Sequence, residues 1–206
     1  MLEHHEGELL VRIAREAFER SMRFETYTLP SELPLNLHAK RGVFVRVRRS
    51  PDRSWGAHME TLACLGYSFP SRELGEAAAD SAVASALRIG ASGSLGGAPP
   101  QHLFFEISVL SEPELLQVGK PVEYPRRIGV RTDGLIVEYG FANGLILPQV
   151  AIENNYDEND LLCECCVRAG LPSSSWLTLS GTRVYKFRAE IFREEESTGN
   201  VIEFIP

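Results

Sequence analysis

The segment Asn143-Gly-Leu-Ile-Leu-Pro-Gln-Val-Ala151, followed by Tyr156-Asp157 and Cys166-Val-Arg-Ala-Gly-Leu171, carries the clearest structural signals of this chain. Asn143-Gly144 predicts the turn of a β-hairpin between residues 134–139 and 145–147, because both residues tolerate positive φ. Pro148 ends the second strand, since it has no amide proton for a ladder. Residues 157–169 predict a helix with an acidic start, a cap at Gly170 and a stop at Pro172.

Apolar periodicity predicts further helices and strands on both sides of this segment. Helices are expected at residues 7–22 and 71–88, the second capped by the Ser71 hydroxyl. Strands are expected at residues 43–49, 61–67, 102–110, 176–179 and 183–192. Because helices and strands do not alternate regularly, the order indicates an α+β fold with a largely antiparallel sheet flanked by helices.

Five strings of sequence follow one another in the order of a known family. They are Gly42-Val-Phe-Val45, Glu106-Ile-Ser-Val-Leu-Ser111 with Pro113, Asp133-Gly-Leu-Ile-Val137, Leu147-Pro-Gln-Val-Ala151, and Ala169-Gly-Leu171 with Trp176. On these strings the chain resembles the AMMECR domain family, named for the chromosomal region of a human syndrome of Alport nephritis, midface hypoplasia and elliptocytosis. The resemblance implies an α+β fold, a single compact domain over residues 1–206, and no settled biochemical activity.

The signature hexapeptide of that family departs from its usual form in this chain. The family reads Leu-Arg-Gly-Cys-Ile-Gly, whereas this chain reads Thr61-Leu-Ala-Cys-Leu-Gly66. Cysteine and the final glycine remain, but Leu62 stands at the arginine position and Ala63 at the first glycine. Leu62 cannot supply whatever the arginine supplies in relatives.

The cysteine of this hexapeptide, Cys64, is the one candidate catalytic residue. A nucleophilic thiol needs thiolate character, usually from a nearby cation or a helix N-terminus. His38, His58 or His102 could serve as its base if the fold brings one close. The alternative is a buried cysteine in a tightly packed strand.

A second candidate set, which would bind a ligand, follows the hairpin: Pro148, Gln149, Glu153 and Asn154. Gln149 follows a strand-ending proline, so its amide is expected to point into a cleft, and Glu153 and Asn154 are expected to open the next helix. The same polar groups could equally cap that helix and satisfy buried backbone groups.

The remaining cysteines form a Cys163-x-Cys165-Cys166 cluster. At about 100° per residue, Cys165 points nearly opposite Cys163, and Cys165 and Cys166 fall on the apolar stripe of their helix. We therefore expect core packing and no metal or other cofactor. The glycines between residues 90 and 100 lack a following Gly-Lys-Ser/Thr and predict a flexible connection and no phosphate loop.

Composition narrows the classes of function. The net charge of −7 disfavours nonspecific nucleic-acid binding, which depends on neutralising phosphates. Two arginine groups could still form a local basic patch, although a solvated strand edge and loop are expected: Arg46, Arg48, Arg49 and Arg53, and Arg126, Arg127 and Arg131. No apolar run approaches the roughly 20 residues of a membrane helix, and the acidic N-terminal residues do not resemble a signal peptide. We expect a cytoplasmic protein.

Two hypotheses about function follow. The first is a binding module that recognises a small molecule or a protein partner through a cleft beside the signature strand and the Pro148-Gln149 junction. The second is an enzyme that uses Cys64 as its nucleophile. Nucleic-acid binding through the arginines is a minor third hypothesis, and the sequence does not indicate an oligomeric state.

Overall fold

A computed structural model describes residues 1–51, 59–95, 102–196 and 199–205. The chain divides into two compact units. The first comprises Met1–Val109 and Glu190–Ile205, and the second comprises Leu110–Ala189. The prediction that residues 1–206 form one domain stays a prediction.

The first unit is built on a five-stranded sheet with the strand order β2-β1-β3-β8-β9. Its helices are α1 (His4–Met22), α2 (Leu35–His38) and α3 (Leu74–Ser92). Its strands are β1 (Val43–Arg49), β2 (Glu60–Tyr67), β3 (Leu103–Leu110), β8 (Ala189–Glu194) and β9 (Val201–Phe204).

Alternate residues of the central strands point their apolar side chains to one face of the sheet and form the core of this unit. Val43, Val45 and Val47 of β1 are fully buried, and the odd-numbered residues of β3 belong to the same apolar cluster as α1 and α3. Small alanine side chains on the buried face of α3 let this helix lie close to the sheet. The prediction that the odd-numbered residues of β1 and β3 share one apolar face is therefore confirmed.

The prediction for α3 was wrong at both ends. The helix begins at Leu74 with Glu73 at its N-cap, and so Ser71 does not cap it. It continues past Gly90 to Ser92 and ends where Gly93 takes a φ of 66°, a conformation that glycine adopts without a Cβ clash. Residues 96–101, which contain the rest of the expected glycine-rich connection, lie outside the described residues.

The second unit is built on a four-stranded sheet with the strand order β4-β7-β5-β6. Its strands are β4 (Glu114–Leu115), β5 (Gly134–Tyr139), β6 (Ala142–Ile146) and β7 (Arg183–Phe187). Its helices are a 3-10 helix (Pro121–Arg127), α4 (Pro148–Glu153), α5 (Glu158–Arg168) and α6 (Ser175–Thr178).

The β5–β6 hairpin exists, but its predicted turn was wrong. Tyr139 pairs with Ala142, so the turn residues are Gly140, with a φ of 59°, and Phe141. Asn143 and Gly144 lie within β6. A Cβ on Gly144 would overlap the backbone of α5 at the Cys165 carbonyl and the Ala169 amide. This glycine therefore serves close packing of a helix on a strand, and not a turn.

The caps of α5 agree with the sequence prediction. The Asp157 carboxylate accepts hydrogen bonds from the backbone amides of Asn159 and Asp160, both at 2.8 Å. Gly170 follows the helix with a φ of 74°. Capping on both ends fixes where this helix begins and ends.

Two late strand predictions were wrong in part. Ser175–Thr178 is a short helix, α6, where a strand over residues 176–179 was expected. Serines precede it, and serine favours caps and turns over extended structure. The single strand expected over residues 183–192 is two strands, β7 and β8, which belong to different sheets.

The α+β class with antiparallel sheets is confirmed, since β1–β2, β1–β3, β4–β7, β5–β6, β5–β7 and β8–β9 all pair in antiparallel register. Within the described ranges, no helix has the length and apolar character that crossing a membrane requires.

Candidate functional site

The signature hexapeptide lies in β2, which pairs with β1 through a β-bulge. Val47 pairs with Ala63, but the next residue of β1, Arg48, pairs with Thr61. Leu62 is therefore the extra residue of the bulge and has no counterpart in the ladder. Its side chain is partly buried against the apolar cluster of the first unit.

The bulge determines which side chains share a face of the sheet. Arg46 of β1 pairs with Cys64 of β2 on one side and with Glu106 of β3 on the other. Directly paired residues in a sheet point to the same face. Cys64, Arg46 and Glu106 therefore form a row across three neighbouring strands, which we call the polar row. It lies on the face opposite the valines of β1.

Arg46 is fixed by side chains from both neighbouring strands. Its Nη1 donates to Glu106 Oε1 at 3.3 Å, and its Nε donates to the Thr61 hydroxyl at 3.2 Å. Arg46 is 5% exposed and Glu106 is 0% exposed. Burying two charges costs several kcal/mol per ion, which their attraction repays only with good geometry and further hydrogen bonds.

The expectation that the first arginine group lies at a solvated strand edge was wrong for Arg46 and Arg48. Arg48 is 8% exposed and donates from Nη2 to the Met59 carbonyl at 3.2 Å. The reason is sheet order, because β1 lies between β2 and β3 and is not an edge strand. Arg53 lies outside the described residues.

Cys64 is partly exposed, and so it is neither fully buried nor freely accessible. The two described candidate bases have other partners. His38 lies 2.8 Å from the Glu73 carboxylate, and His102 Nδ1 lies 2.9 Å from the Ser50 carbonyl. The adjacent Leu103 pairs with Arg49, three residues along β1 from Arg46 and hence roughly 10 Å away. His58 is outside the described part of the chain.

Sterics explain which signature positions this chain keeps. A Cβ on Gly66 would overlap the Val43 carbonyl oxygen and lie 2.7 Å from the Phe44 Cα, so no other residue fits without moving β1. Ala63, at the first glycine position of the family pattern, is 4% exposed within the apolar cluster and has room for its methyl group.

The second candidate set occupies the two ends of α4 in the second unit. Pro148 is the first residue of this helix and Gln149 is 1% exposed, so in this conformation the Gln149 amide is buried and not open to solvent. Glu153 and Asn154 are exposed. The expectation that they open the next helix was wrong, because Glu153 ends α4 and Asn154 is its C-cap.

Asn154 caps the C-terminal end of α4, and Asp157 caps the N-terminal end of α5. The Asn154 side-chain amide donates to the Val150 carbonyl at 2.8 Å, and Asp157 caps α5. Asn154 thus caps the end of α4, and not the start of the next helix as the capping alternative had it. Ligand binding by Pro148, Gln149, Glu153 and Asn154 stays a prediction.

The three cysteines of α5 differ in their surroundings. Cys165 and Cys166 are fully buried, as expected for core residues, and the Cys165 thiol donates to the Gly144 carbonyl at 3.2 Å. Burial raises the pKa of both thiols above the ordinary value. Cys163 is partly exposed and accepts the Trp176 indole N–H at 3.5 Å. Among the described residues, no group of three or more His, Cys, Asp or Glu is placed to hold a metal ion.

Sequence reasoning missed Glu106 and Thr61 as partners of the site. A signal for Glu106 was available, since it is the one charged residue in the otherwise apolar and small-polar run Leu-Phe-Phe-Glu-Ile-Ser-Val-Leu of β3. A charge at that position of a buried strand indicates a specific partner. Thr61 gave no such signal, because only the bulge places it on the face of Arg46.

Comparison with known proteins agrees with the resemblance seen in the sequence. A protein of Thermofilum pendens is 38% identical over 205 residues, covering 98% of this chain and 96% of that protein. Protein MJ0810 of Methanocaldococcus jannaschii is 36% identical over 203 residues, covering 98% of this chain and 97% of that protein. The crystal structure of the uncharacterised protein PH0010 from Pyrococcus horikoshii matches with a TM-score of 0.83 at 37% identity, covering 100% of this chain and 99% of that chain. The AMMECR1 family profile matches residues 11–192, and the chain belongs to the AMMECR1 family.

Proposed function

We propose that this protein is a binding module whose polar row recognises a small molecule or a segment of a partner protein that carries a negative charge. The observation that supports this is the buried Arg46–Glu106 pair in register with the partly exposed Cys64. All residues of the polar row belong to the first unit.

The energetic argument is that an ion pair at this position is a poor stabiliser of the sheet. Replacing a buried ion pair by apolar residues of similar volume is often neutral or stabilising by about 1–4 kcal/mol. Valine or leucine at positions 46 and 106 would replace the ion pair by apolar contacts between β1 and β3 and would avoid the cost of burying two charges. Charged residues at these two positions are more easily explained by recognition than by stability.

The expected charge of the ligand follows from the charged side chains on the face of the sheet that carries the polar row. Arg46 and Arg48 contribute two guanidinium groups, and Glu106 contributes one carboxylate. The guanidinium fork binds carboxylates and phosphates through parallel hydrogen bonds. A carboxylate or phosphate group that approaches Cys64 therefore meets a net positive field.

The second candidate function is catalysis by Cys64, favoured by the position of Arg46 directly across the strand pair. A guanidinium beside a thiol stabilises the thiolate, which is the nucleophilic form. Arg46 would take over the role that the family signature gives to the residue at Leu62. Against this, Glu106 offsets part of the positive charge, and the two described candidate bases, His38 and His102, contact the Glu73 carboxylate and the Ser50 carbonyl.

For the second unit, we propose that Glu153 supplies the accessible carboxylate of the predicted ligand set at the end of α4. Pro148 and Gln149 would shape the start of the helix beneath it. Exchange of Glu153 for glutamine tests this, since it removes the charge and keeps the shape. We also propose a cytoplasmic location, supported by the absence of a disulfide among the four cysteines, because disulfides are rare in that compartment.

The polar row can be tested with two alkylating probes of similar size and different charge. Iodoacetamide is neutral and iodoacetate is an anion. We expect the ratio of iodoacetate to iodoacetamide labelling at Cys64 to be at least about fivefold higher in the native protein than in the urea-unfolded chain, which corresponds to roughly 1 kcal/mol of favourable field. Peptide mass spectrometry reads the two rates at each cysteine.

The matched variants separate the arginines. The double variant Arg46→Gln/Glu106→Gln removes one positive and one negative charge without leaving either buried alone; because Arg48 keeps its charge, it should lower the ratio only in part. Arg48→Gln leaves only the mutually neutralising Arg46–Glu106 pair and should return the ratio to about the unfolded value. Rapid labelling of Cys64 by both probes would favour the nucleophile, and native resistance to both probes would contradict the binding and the catalytic proposals.

A further inference from the structure

Two of the three α5 cysteines lie one helical turn apart on the same side. Cys163 and Cys166 are in an i, i+3 relation, which makes their side chains neighbours on a helix. Regular helix geometry separates their Cα atoms by roughly 5 Å. Disulfides span Cα distances of about 4.4–6.8 Å, so this separation is within range. Cys165 faces β5 and β6 instead, with its thiol near the Leu135 and Gly144 carbonyls.

Trp176 of α6 contacts both sulfur atoms of this pair. Its indole Nε1 donates to Cys163 Sγ at 3.5 Å, and its backbone N–H donates to the Cys166 sulfur. One residue therefore fixes both sulfurs on the same side of the helix, with Cys163 partly exposed and Cys166 buried behind it.

We propose that Cys163 and Cys166 are a redox modification site that peroxide converts to a reversible disulfide within α5. The partly exposed Cys163 sulfur, as thiolate, attacks one oxygen of hydrogen peroxide. The S–O bond forms, the O–O bond breaks, and hydroxide leaves and is protonated to water, which gives a sulfenic acid. The Cys166 sulfur then attacks the Cys163 sulfur. The S–S bond forms, the S–O bond breaks, and a second water leaves. Two thiols have lost two electrons and two protons to one peroxide.

The order of the two steps follows from exposure. Peroxide reaches Cys163 first because Cys166 is fully buried, and burial also raises the pKa of the Cys166 thiol. Cys166 is nevertheless in reach of an oxidised Cys163 as its neighbour on the helix. A disulfide between two residues inside a helix departs from relaxed geometry, and strained disulfides are the easily reduced ones. This site involves none of the polar-row residues and does not depend on the proposed function.

The test uses the full-length native protein, hydrogen peroxide and mass spectrometry. Trypsin releases residues 132–168 as one peptide, which contains Cys163, Cys165 and Cys166 but not Cys64. We expect peroxide to lower the mass of this peptide by two hydrogen atoms and dithiothreitol to restore it. In a Trp55→Phe background Trp176 is the remaining tryptophan, and its fluorescence should fall on oxidation and recover on reduction.

Matched cysteine variants decide which sulfurs are joined. Cys163→Ser and Cys166→Ser should each abolish the disulfide, whereas Cys165→Ser should keep it, because a serine hydroxyl can donate to the same carbonyls. Differential alkylation of the wild-type chain gives the same answer without any variant, should one fail to fold. The proposal is overturned if native Cys163 proceeds to sulfinic acid without pairing, if the bond joins two chains, or if all three thiols remain reduced at peroxide concentrations that oxidise the unfolded chain.

Discussion

Replacing Gly144 by alanine tests the packing of α5 on the β5–β6 hairpin. The added methyl carbon would overlap the Cys165 carbonyl oxygen and the Ala169 amide nitrogen and would lie 2.9 Å from the Arg168 carbonyl carbon. These atoms are helix backbone and cannot rotate away as a side chain can. The helix must therefore move away from β6, which also stretches the 3.2 Å thiol contact from Cys165 to the Gly144 carbonyl.

Overpacking of this kind costs about 1–3 kcal/mol, and a rigid backbone partner argues for the upper end, about 3 kcal/mol. For a chain of this length, 1 kcal/mol corresponds to about 2–4 °C in Tm. We expect Gly144→Ala to lower Tm by roughly 6–12 °C in a thermal melt followed by circular dichroism, with a matching fall in the urea midpoint.

Gly90 is the matched control, because it lies in α3 and a Cβ there meets nothing within 4 Å. The same chemical change should raise stability by about 0.5–1 kcal/mol, since alanine favours a helix over glycine. A Tm for Gly144→Ala within about 2 °C of the wild type corresponds to a cost of at most about 1 kcal/mol and would refute the close approach of α5 to β6.

Two further predictions concern the first unit. Phe24 is 97% exposed with a φ of 60° and follows α1 at the position where helices favour glycine. Phe24→Gly should therefore raise the free energy of unfolding in urea by about 0.5–1 kcal/mol, whereas Phe24→Ala should not, because alanine keeps the Cβ that strains this conformation. Equal effects of the two substitutions would contradict the strain argument. Burial alone would raise the pKa of Glu6, but the hydrogen bonds from the Asn36 amide and the Glu3 backbone outweigh it and lower that pKa below its ordinary value. A lowered carboxylate pKa adds stability that is present above the unfolded value and lost as pH falls through the folded value. The wild type should therefore exceed Glu6→Gln in free energy of unfolding at pH 6 and lose that advantage as the pH becomes strongly acidic, and an advantage that does not shrink on acidification would count against the assignment.

Elements with strong local patterns could be predicted from the sequence. The strands β1 and β5 were located to the residue, because alternating or continuous apolar side chains between turn residues leave little choice. The helix α5 was located to within one residue at each end, because its acidic start and terminal glycine are local signals. The turn of the hairpin failed because Asn143-Gly144 has the composition of a turn, while the decisive contact of Gly144 is with a helix about 20 residues later.

The candidate site was harder to predict, for reasons of topology. Cys64 could be singled out from the family signature, but its neighbours come from β1 and β3, which are about 20 and 40 residues away along the chain. No local sequence pattern indicates that β1 lies between β2 and β3, and so Arg46 was assigned to a solvated strand edge. Burial of Gln149 likewise depends on packing that no pattern in Pro148-Gln149 encodes.

The bulge at Leu62 has a consequence for how this sequence could diverge. A residue outside the ladder is not tied to the alternation of its strand, so its side chain can change character without altering the pairing of Ala63 or Cys64. An arginine at position 62 could lay its aliphatic stem where the leucine now rests. Gly66 has no such freedom, because the Val43 carbonyl occupies the space. Within one six-residue motif, whether a position accepts a different residue thus depends on whether the structure leaves space for that residue's Cβ.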